Sequence, residues 1–307
     1  MNETGAKGDI ILAAPRGFCA GVRRALEIVE TALSELPCPI YVFHEIVHND
    51  HVVSELRSRG VKFVESLNEV PEGATVIFSA HGVSPDIESE AKQRKLHTID
   101  ATCPLVKKIH AKAEKFQQDG GTVLLIGHRG HPEITGTLGR SGADAQVVEN
   151  IDEAAKLSSQ IADKKAIWLS QTTLCNDDIA PIVAVLEKRF PGITGGGGIC
   201  YATANRQNAV RQLCRECSFI LIIGSPKSSN SNRLLELALN NGVTAQLIND
   251  ASEINFDSLP AGGNIGITAG ASAPEILVTK TIERLRNAGW TKVRELAVAD
   301  EKKRFRK

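Results

Sequence analysis

Three of the cysteines stand in the same kind of place, directly before a segment with helical periodicity. Cys19, Cys103 and Cys200 precede AGVRRALEIVE, PLVKKIHAKAEKF and YATANRQNAVRQL. The start of a helix offers unpaired N–H groups and a positive potential, which favour a thiolate over a thiol. Because the thiolate is the form of cysteine that binds metal, this pattern indicates a site with three sulfur ligands.

The residues alone leave the occupant of such a site open. Soft sulfur ligands suit an iron–sulfur cluster or zinc. Three cysteines would leave one iron of a [4Fe–4S] cluster without a protein ligand, and an open iron can polarise a substrate oxygen. Since no C-x2-C-x2-C run is present, the fold would have to assemble the site. The alternative is that each cysteine is a small buried hydrophobe.

We expect the other four cysteines not to be ligands. Cys38 lies between two prolines. Cys175, which follows SQTTL, is only a weak candidate for a metal ligand. Cys214 and Cys217 form a C-x-x-C, but in the middle of a predicted helix and without a second pair. A redox or zinc function requires a preceding strand turn or that second pair.

Histidines, hydroxyls and amides follow several of the apolar runs. Together with helix N-termini, they suit a phosphorylated anion. Each also has an ordinary explanation, because Ser, Thr and Asn are the preferred N-caps and a lone His is usually structural. Glu133 is either a proton donor or an acidic residue of a first helical turn. The set comprises His44, His48, His81, His128, His131, Thr172, Thr173, Ser228, Ser229, Asn230 and Ser272.

Short apolar runs that alternate with amphipathic segments predict an α/β fold with parallel strands and sites at their carboxyl ends. One such segment predicts a helix from about Asp177 to Arg189, and Gly242 and Gly289 stand where C′ glycines end helices. The nearly equal intervals between the three cysteines suggest three similar α/β units.

We therefore divide the chain into three segments and a tail. Segment 9–102 carries Cys19, His48 and His81. Segment 103–196 carries Cys103, His131, Glu133 and Thr172. Segment 197–290 carries Cys200, Ser228, Asn230 and Ser272. Residues 291–307 form the tail, whose charged end we expect to be solvated.

The composition excludes several classes of function. The 307 residues carry no net charge and 4% aromatic residues, so nothing indicates a nucleic-acid partner. No apolar run approaches a membrane span, and the N-terminal run is too short for a secretory signal, so we expect a cytoplasmic protein. The glycine run 195–198 lacks the Lys of a P-loop, and no G-x-G-x-x-G follows the first strand.

Nine segments in order resemble the 4-hydroxy-3-methylbut-2-enyl diphosphate reductase family: PRGFCAGV, HEIVHN, FSAHGVS, DATCPLV, GHRGHPE, SQTTL, CYATANRQ, SSNSNRL and TAGASAP. The resemblance implies a pseudo-threefold α/β trefoil around a central [4Fe–4S] cluster. It implies that Cys19, Cys103 and Cys200 are the cluster ligands and that one iron is open. It also implies a diphosphate pocket formed by His48, His81, His131, Ser228, Ser229, Asn230 and Ser272, with Asn49 and Thr173 at neighbouring motif positions.

The resemblance further implies catalytic roles for Glu133, Thr172 and His131: Thr172 would contact the substrate hydroxyl and Glu133 would relay protons. The reaction would be a two-electron reductive dehydroxylation of an allylic alcohol diphosphate to isopentenyl and dimethylallyl diphosphate. Electrons would come from an external ferredoxin or flavodoxin. The alternatives are a three-cysteine cluster hydratase without net reduction, an iron or oxygen sensor, and a zinc-binding structural module. After Arg294 the chain does not match the usual ending of the family.

Overall fold

The computed structural model describes residues 7–159, 161 and 165–305, and in them strands alternate with helices throughout. The predicted tail therefore extends beyond the described residues at positions 306 and 307. Within the described part of the chain, no helix is both long and apolar enough to cross a membrane.

The strands are β1 (Lys7–Ala14), β2 (Ile40–Phe43), β3 (Val61–Val64), β4 (Thr75–Phe78), β5 (His97–Asp100), β6 (Thr122–Ile126), β7 (Gln146–Val148), β8 (Ala166–Ser170), β9 (Thr194–Gly195), β10 (Phe219–Ile223), β11 (Thr244–Ile248), β12 (Gly263–Ala269) and β13 (Val293–Ala297). The α-helices are α1 (Ala20–Glu35), α2 (Asp50–Ser58), α3 (Pro85–Gln93), α4 (Pro104–Gln118), α5 (Pro132–Leu138), α6 (Ile151–Lys156), α7 (Asn176–Arg189), α8 (Tyr201–Glu216), α9 (Ser229–Asn240) and α10 (Glu275–Asn287).

Three parallel sheets share one strand order. Two of them run β3-β2-β4-β5 and β7-β6-β8-β9, and the third runs β11-β10-β12-β1-β13. In the third sheet, β1 takes the place that β5 and β9 occupy in the other two. The predicted α/β class with three similar units is therefore confirmed.

The chain divides into two compact units. The terminal unit contains the described residues up to Val22, together with His48–Glu55 and Tyr201–Lys303. The internal unit contains Arg23–Val47 and the described residues of Leu56–Cys200.

Both faces of the sheet in the terminal unit are buried. Along β1, Ile10 and Leu12 belong to one apolar cluster, while Ile11 and Ala13 belong to another. Successive side chains of a strand point to opposite faces, so these two clusters lie on the two sides of the sheet. Helices that cover both faces are the usual reason for such continuous apolar runs in parallel strands.

The sheets do not follow the predicted chain segments strand by strand. Strand β1 belongs to segment 9–102 but pairs with β12 and β13 in the sheet of the last segment. Strand β13 lies within the predicted tail, where it pairs in parallel with β1. Strand β13 is an edge strand with half-exposed and exposed side chains, and Arg294 and Glu295 interrupt its apolar residues.

Candidate functional site

The three predicted cluster ligands have equivalent local surroundings. Cys19, Cys103 and Cys200 are half-buried, form no disulfide and directly precede α1, α4 and α8. Each backbone N–H donates to a carbonyl two residues beyond the end of a strand. The pairs are Cys19 N with Ala271 O at 3.2 Å, Cys103 N with Ala80 O at 3.0 Å, and Cys200 N with Thr172 O at 3.1 Å.

The strand order explains this equivalence. The strands that precede the three cysteines, β1, β5 and β9, pair in parallel with β12, β4 and β8, which are the strands that end before the three acceptors. One local arrangement therefore occurs three times, each time at the carboxyl end of a sheet, where α/β proteins place their ligands.

The donor set fits an iron–sulfur cluster by its chemistry. Three accessible sulfurs in equivalent settings are ligands of the type that such clusters use. Across residues 7–305, as far as they are described, no three His, Cys, Asp or Glu side chains gather as ligands of a single metal ion. A four-iron cluster holds each cysteine on a different iron, so its ligands stand further apart than those of one ion. That the three cysteines share one cluster stays a prediction.

The C-x-x-C pair lies in an apolar environment. Cys217 packs in the cluster that contains Leu213 and Ile220, and Cys214 borders the same cluster. Burial raises the pKa of Cys217 to about 12 and also raises the pKa of Cys214. Burial therefore disfavours the thiolate at both positions, and that the two cysteines are not ligands stays a prediction.

A buried carboxyl group lies in the internal unit. Glu133, in the first turn of α5, is 3% exposed. Its Oε1 accepts a hydrogen bond from the backbone N–H of Thr172 at 2.7 Å, and its Oε2 accepts one from the Thr172 hydroxyl at 2.9 Å. Two residues that are distant in sequence thus form one side-chain pair.

Burial raises the pKa of Glu133 to about 7, because removal from water disfavours the charged carboxylate. The two hydrogen bonds from Thr172 favour the carboxylate and lower the pKa, but burial outweighs them. A carboxyl group with a pKa near neutrality exists in both protonation states at physiological pH. Glu133 can therefore donate a proton and recover it.

Two predicted histidines accompany this pair in the internal unit. His131 is the N-cap of α5, and its Nδ1 accepts a hydrogen bond from the backbone N–H of Glu133 at 3.2 Å. A neutral imidazole that accepts at Nδ1 carries its proton on Nε2. The ring of His81 lies edge-on to that of His131, with centroids 5.7 Å apart. The Nδ1 atom of His81 is 3.3 Å from the hydroxyl of Ser79.

The terminal unit contains a buried amide without hydrogen bonds. Asn230, at the start of α9, is 4% exposed, and neither side-chain amide atom has a partner within the described residues. A buried polar group left unpaired destabilises a fold, so such a group indicates a missing ligand or water. The neighbouring Ser228 is the N-cap of α9 and accepts from the N–H of Ser231 at 3.3 Å.

Hydrogen bonds join the other predicted anion ligands to this region of the terminal unit. The Ser272 hydroxyl donates to the carbonyl of His48 at 3.0 Å. Asp50, two residues further on, accepts from the Ser225 hydroxyl at 3.1 Å and pairs with Lys227 at 2.7 Å. Hydrogen bonds therefore join the segment that carries His48 to the loop of Ser272 and to the loop that leads into α9 with Ser228, Ser229 and Asn230. Donors and a helix N-terminus of this kind can hold a phosphate group.

Several polar residues in the wider predicted set have other partners. His44 pairs with Glu65 at 2.6 Å, and His128 is exposed. Asn49 accepts from the N–H of Val52 at 3.1 Å in the first turn of α2. Thr173 accepts from the side chain of Gln171 at 2.7 Å. Ion pairing accounts for the contact of His44, and helix capping accounts for that of Asn49.

Sequence reasoning missed the ionic network around the loop before Cys19, which centres on Arg16, Arg206 and Glu301. The sequence does contain one signal for it. Arg206 stands in α8 at helical spacing from the buried residues Ala202 and Ala209, so a charged side chain interrupts an apolar stripe. A charge at such a position has to be paired.

Comparison with known proteins agrees with this architecture. A protein named 4-hydroxy-3-methylbut-2-enyl diphosphate reductase from Histophilus somni (strain 2336) is 52% identical over 297 residues, which cover 95% of this chain and 94% of that protein. A protein of the same name from Xanthomonas axonopodis pv. citri (strain 306) is 51% identical over 94% of this chain and 93% of its own length.

Solved structures show the same likeness. The E-1-hydroxy-2-methyl-but-2-enyl-4-diphosphate reductase from Plasmodium falciparum superposes with a TM-score of 0.92 at 40% identity, covering 96% of this chain and 93% of that structure. A structure of (E)-4-hydroxy-3-methyl-but-2-enyl diphosphate reductase gives a TM-score of 0.67 at 31% identity, covering 91% of this chain and 99% of that structure. The LytB protein family matches residues 10–286. Since this match spans most of the chain, and about half of the residues are identical to the Histophilus and Xanthomonas proteins over nearly the whole length, the chain belongs to the LytB family.

Proposed function

We propose that the chain is a 4-hydroxy-3-methylbut-2-enyl diphosphate reductase, which converts its allylic alcohol substrate to isopentenyl and dimethylallyl diphosphate. The observation that carries the proposal is a chain of hydrogen bonds within the internal unit. The N–H of Cys200, a predicted cluster ligand, donates to the carbonyl of Thr172, and the hydroxyl of Thr172 donates to the buried carboxylate of Glu133. A predicted metal ligand is thereby joined to a proton donor through one residue.

Cys19, Cys103 and Cys200 would hold one [4Fe–4S] cluster with one iron open. When bound, such a cluster supplies electrons singly and offers a Lewis acid for an alcohol oxygen. The three cysteines are half-buried and directly precede helices α1, α4 and α8. Their role as the only cysteine ligands is supported by the apolar surroundings of Cys214 and Cys217.

The diphosphate would be bound by His48, Ser228, Ser229, Asn230 and Ser272, together with His81 and His131. The unpaired amide of Asn230 supports this assignment, because the phosphate oxygens would supply the hydrogen-bond acceptor that it lacks. Fixing the diphosphate restricts the position of the alcohol carbon. Binding energy is in this way used to orient the reacting group.

Glu133 would supply the proton that lets the hydroxyl leave as water, and Thr172 would orient that hydroxyl. The balance is two electrons and two protons for each substrate. One proton goes to the departing oxygen, and the other goes to either end of the allylic fragment. Burial of Glu133 supports this role, because it raises the pKa of the carboxyl group to about 7 and keeps a proton available at neutral pH.

An external one-electron donor, a ferredoxin or flavodoxin, would deliver the electrons. Nothing in the zero net charge or the low aromatic content of the chain favours a nucleic-acid partner. We propose a cytoplasmic location, where the thiols would stay reduced.

Anaerobic reduction followed by substrate addition tests the proposal. The reduced, iron-loaded chain should regain the absorbance of the oxidised cluster in proportion to the substrate added, with release of both diphosphate products. A hydratase would leave the cluster reduced, and a zinc module would be colourless. Either result would refute the reductase assignment.

A further inference from the structure

The loop before Cys19 is held by a fully buried arginine. Arg206, on α8, is 0% exposed. Its Nε and Nη2 donate to the carbonyl of Gly17 at 3.1 and 2.7 Å, and its Nη1 donates to the carbonyl of Ala202 at 2.8 Å. Gly17 has a φ of +63°, a conformation that glycine adopts without strain. The guanidinium thus hydrogen-bonds to the backbone two residues before Cys19, a predicted cluster ligand.

Glu301 supplies the counter-charge for this arginine. Its carboxylate lies 3.1 Å from Nη1 and 3.3 Å from Nη2 of Arg206, and it also accepts from the Asn205 side chain at 3.0 Å. A buried charge that loses its partner is strongly destabilised. The position of the Arg206 side chain therefore depends on Glu301.

A second arginine ties the same loop to β13 and to the start of α10. Nη1 of Arg16 contacts Glu295 of β13 at 2.9 Å, and Nη2 contacts Glu275 at 2.6 Å. The N–H of Val298 donates to the carbonyl of Ala14 at 2.8 Å. Residues 293–301 thus give the loop a neighbouring strand and two carboxylates.

We propose that Arg206 and Glu301 are positioning residues, which fix the loop Arg16–Phe18 and through it the thiol of Cys19. The guanidinium contacts Glu301 and the Gly17 carbonyl at the same time. The position of the loop therefore depends on the position of residues 293–301. This role goes beyond the proposed reaction and does not depend on it, since it concerns the geometry of one cysteine. Outer partners that orient a metal ligand commonly change metal affinity when they are replaced.

The test compares two conservative variants with two matched controls in the full-length chain. Glu301→Gln keeps an acceptor oxygen but removes the counter-charge, and Arg206→Lys keeps the charge but removes the fork of donors. Glu283→Gln on α10 and Arg215→Lys on α8 make the same changes at exposed positions. The first readout is the rate at which the iron-loaded protein loses iron to a chelator.

The second readout is the rate of iodoacetamide alkylation at each of the three cysteines in the iron-free chain, measured by mass spectrometry. We expect Glu301→Gln and Arg206→Lys each to accelerate iron loss and Cys19 alkylation by roughly tenfold. Cys103, Cys200 and both control variants should keep wild-type rates.

Two results would overturn the proposal. If Cys19 keeps its wild-type alkylation rate in Glu301→Gln, the network does not position the thiol. If all three cysteines accelerate equally, the network only stabilises the fold as a whole. Should Arg206→Lys fail to fold, Glu301→Gln decides alone. Because alkylation is read without substrate and without iron, the outcome is independent of whether the reductase assignment holds.

Discussion

Glu133 shows how a fold can set the acidity of one residue. Two hydrogen bonds from Thr172 stabilise its carboxylate, yet burial is the larger effect and raises the pKa to about 7. An exposed glutamate with the same two donors would be ionised at neutral pH. The enclosure of the side chain by α5 and the strand-end loop of β8, more than its residue type, makes it suitable as a proton donor.

Replacing Glu133 with Gln should abolish most turnover while preserving the site. The amide is nearly isosteric and its oxygen still accepts from the N–H of Thr172, but it has no acidic proton to deliver. We expect kcat to fall by about 10²–10⁴-fold with unchanged iron content. Glu187→Gln, an exposed change on α7, is the control. Turnover near that of the wild type would contradict the proton-donor role.

The dependence of kcat/KM on pH should reflect the pKa of Glu133 and its hydrogen bond with Thr172. The protonated carboxyl group is the active form, so kcat/KM should decline as the pH rises through about 7. Thr172→Val removes the hydroxyl that donates at 2.9 Å and favours the carboxylate. The pKa of Glu133 should then rise, and the descending limb should move to higher pH.

The control for this profile is Thr279→Val, which removes a hydroxyl from the exposed face of α10. Its descending limb should coincide with that of the wild type. An unshifted limb in Thr172→Val would show that another group controls the activity above neutral pH. A shift to lower pH would show that the hydroxyl disfavours the carboxylate.

At the scale of elements, the start of α9 combines the proposed anion site with a buried amide that has no partner among the described residues. Among the described residues the buried Asn230 amide has no hydrogen-bond partner, which is unfavourable for a buried polar group. Such a side chain can bind an anion without breaking a hydrogen bond to another described residue. Stability and binding should therefore respond in opposite directions when Asn230 is replaced.

Asn230→Leu should weaken binding without weakening the fold. We expect the affinity of the iron-loaded protein for pyrophosphate, measured by calorimetry, to fall roughly 10–100-fold, because hydrogen bonds to a charged group are lost. The melting temperature without ligand should equal or exceed that of the wild type. A fall in melting temperature with unchanged pyrophosphate affinity would contradict the binding role.

Asn264→Leu is the opposite control for this prediction. Its side chain accepts from the N–H of Asp9 and donates to the carbonyl of Glu216, both at 2.9 Å. Removing a fully bonded amide should lower the melting temperature and leave pyrophosphate affinity unchanged. Comparison of Asn230→Leu with Asn264→Leu therefore distinguishes the loss of a contact to the anion from the loss of hydrogen bonds within the fold.

The sequence predicted elements better than it predicted contacts. Helical periodicity placed a helix from about Asp177 to Arg189, and α7 spans Asn176–Arg189. Gly242 and Gly289 follow α9 and α10 with positive φ, as expected of C′ glycines. These features depend on local patterns of 3.6 residues and on backbone sterics, which a single sequence displays directly.

Contacts between distant segments were not visible in the same way. Glu133 and Thr172 were both candidates, but no spacing rule indicates that one hydrogen-bonds to the other. The Arg206–Glu301 pair was missed, and the latter residue lies in what the sequence presented as a tail. Such contacts depend on which strands become neighbours, and this is decided by packing across the whole chain.

At the scale of the whole molecule, one strand order is used three times, but the third sheet draws on both ends of the chain. Its β1 comes from the N-terminus and pairs with β12 and β13 near the C-terminus. The acceptor for the Cys19 N–H is accordingly Ala271, far away in sequence, whereas Cys103 bonds to Ala80. The surroundings of Cys19 thus form only once the C-terminal strands are in place.

This threefold repetition predicts that the three cysteines are equivalent in holding iron. Each cysteine follows the same strand pairing and precedes a helix, so we expect none of the three to be dispensable. We expect Cys19→Ser, Cys103→Ser and Cys200→Ser each to lose most of the iron and sulfide counted per chain after anaerobic purification, because a hard hydroxyl is a poor substitute for a soft thiolate.

Cys214→Ser is the matched control, since this cysteine borders an apolar cluster and burial keeps it a thiol. Its iron and sulfide content should equal that of the wild type. Loss of iron in this variant would show that the C-x-x-C, and not the repeated strand-end arrangement, holds the metal. Full iron retention in any one of the three serine variants would show that the repeated positions are not equivalent, and a site with three cysteine ligands would then be wrong.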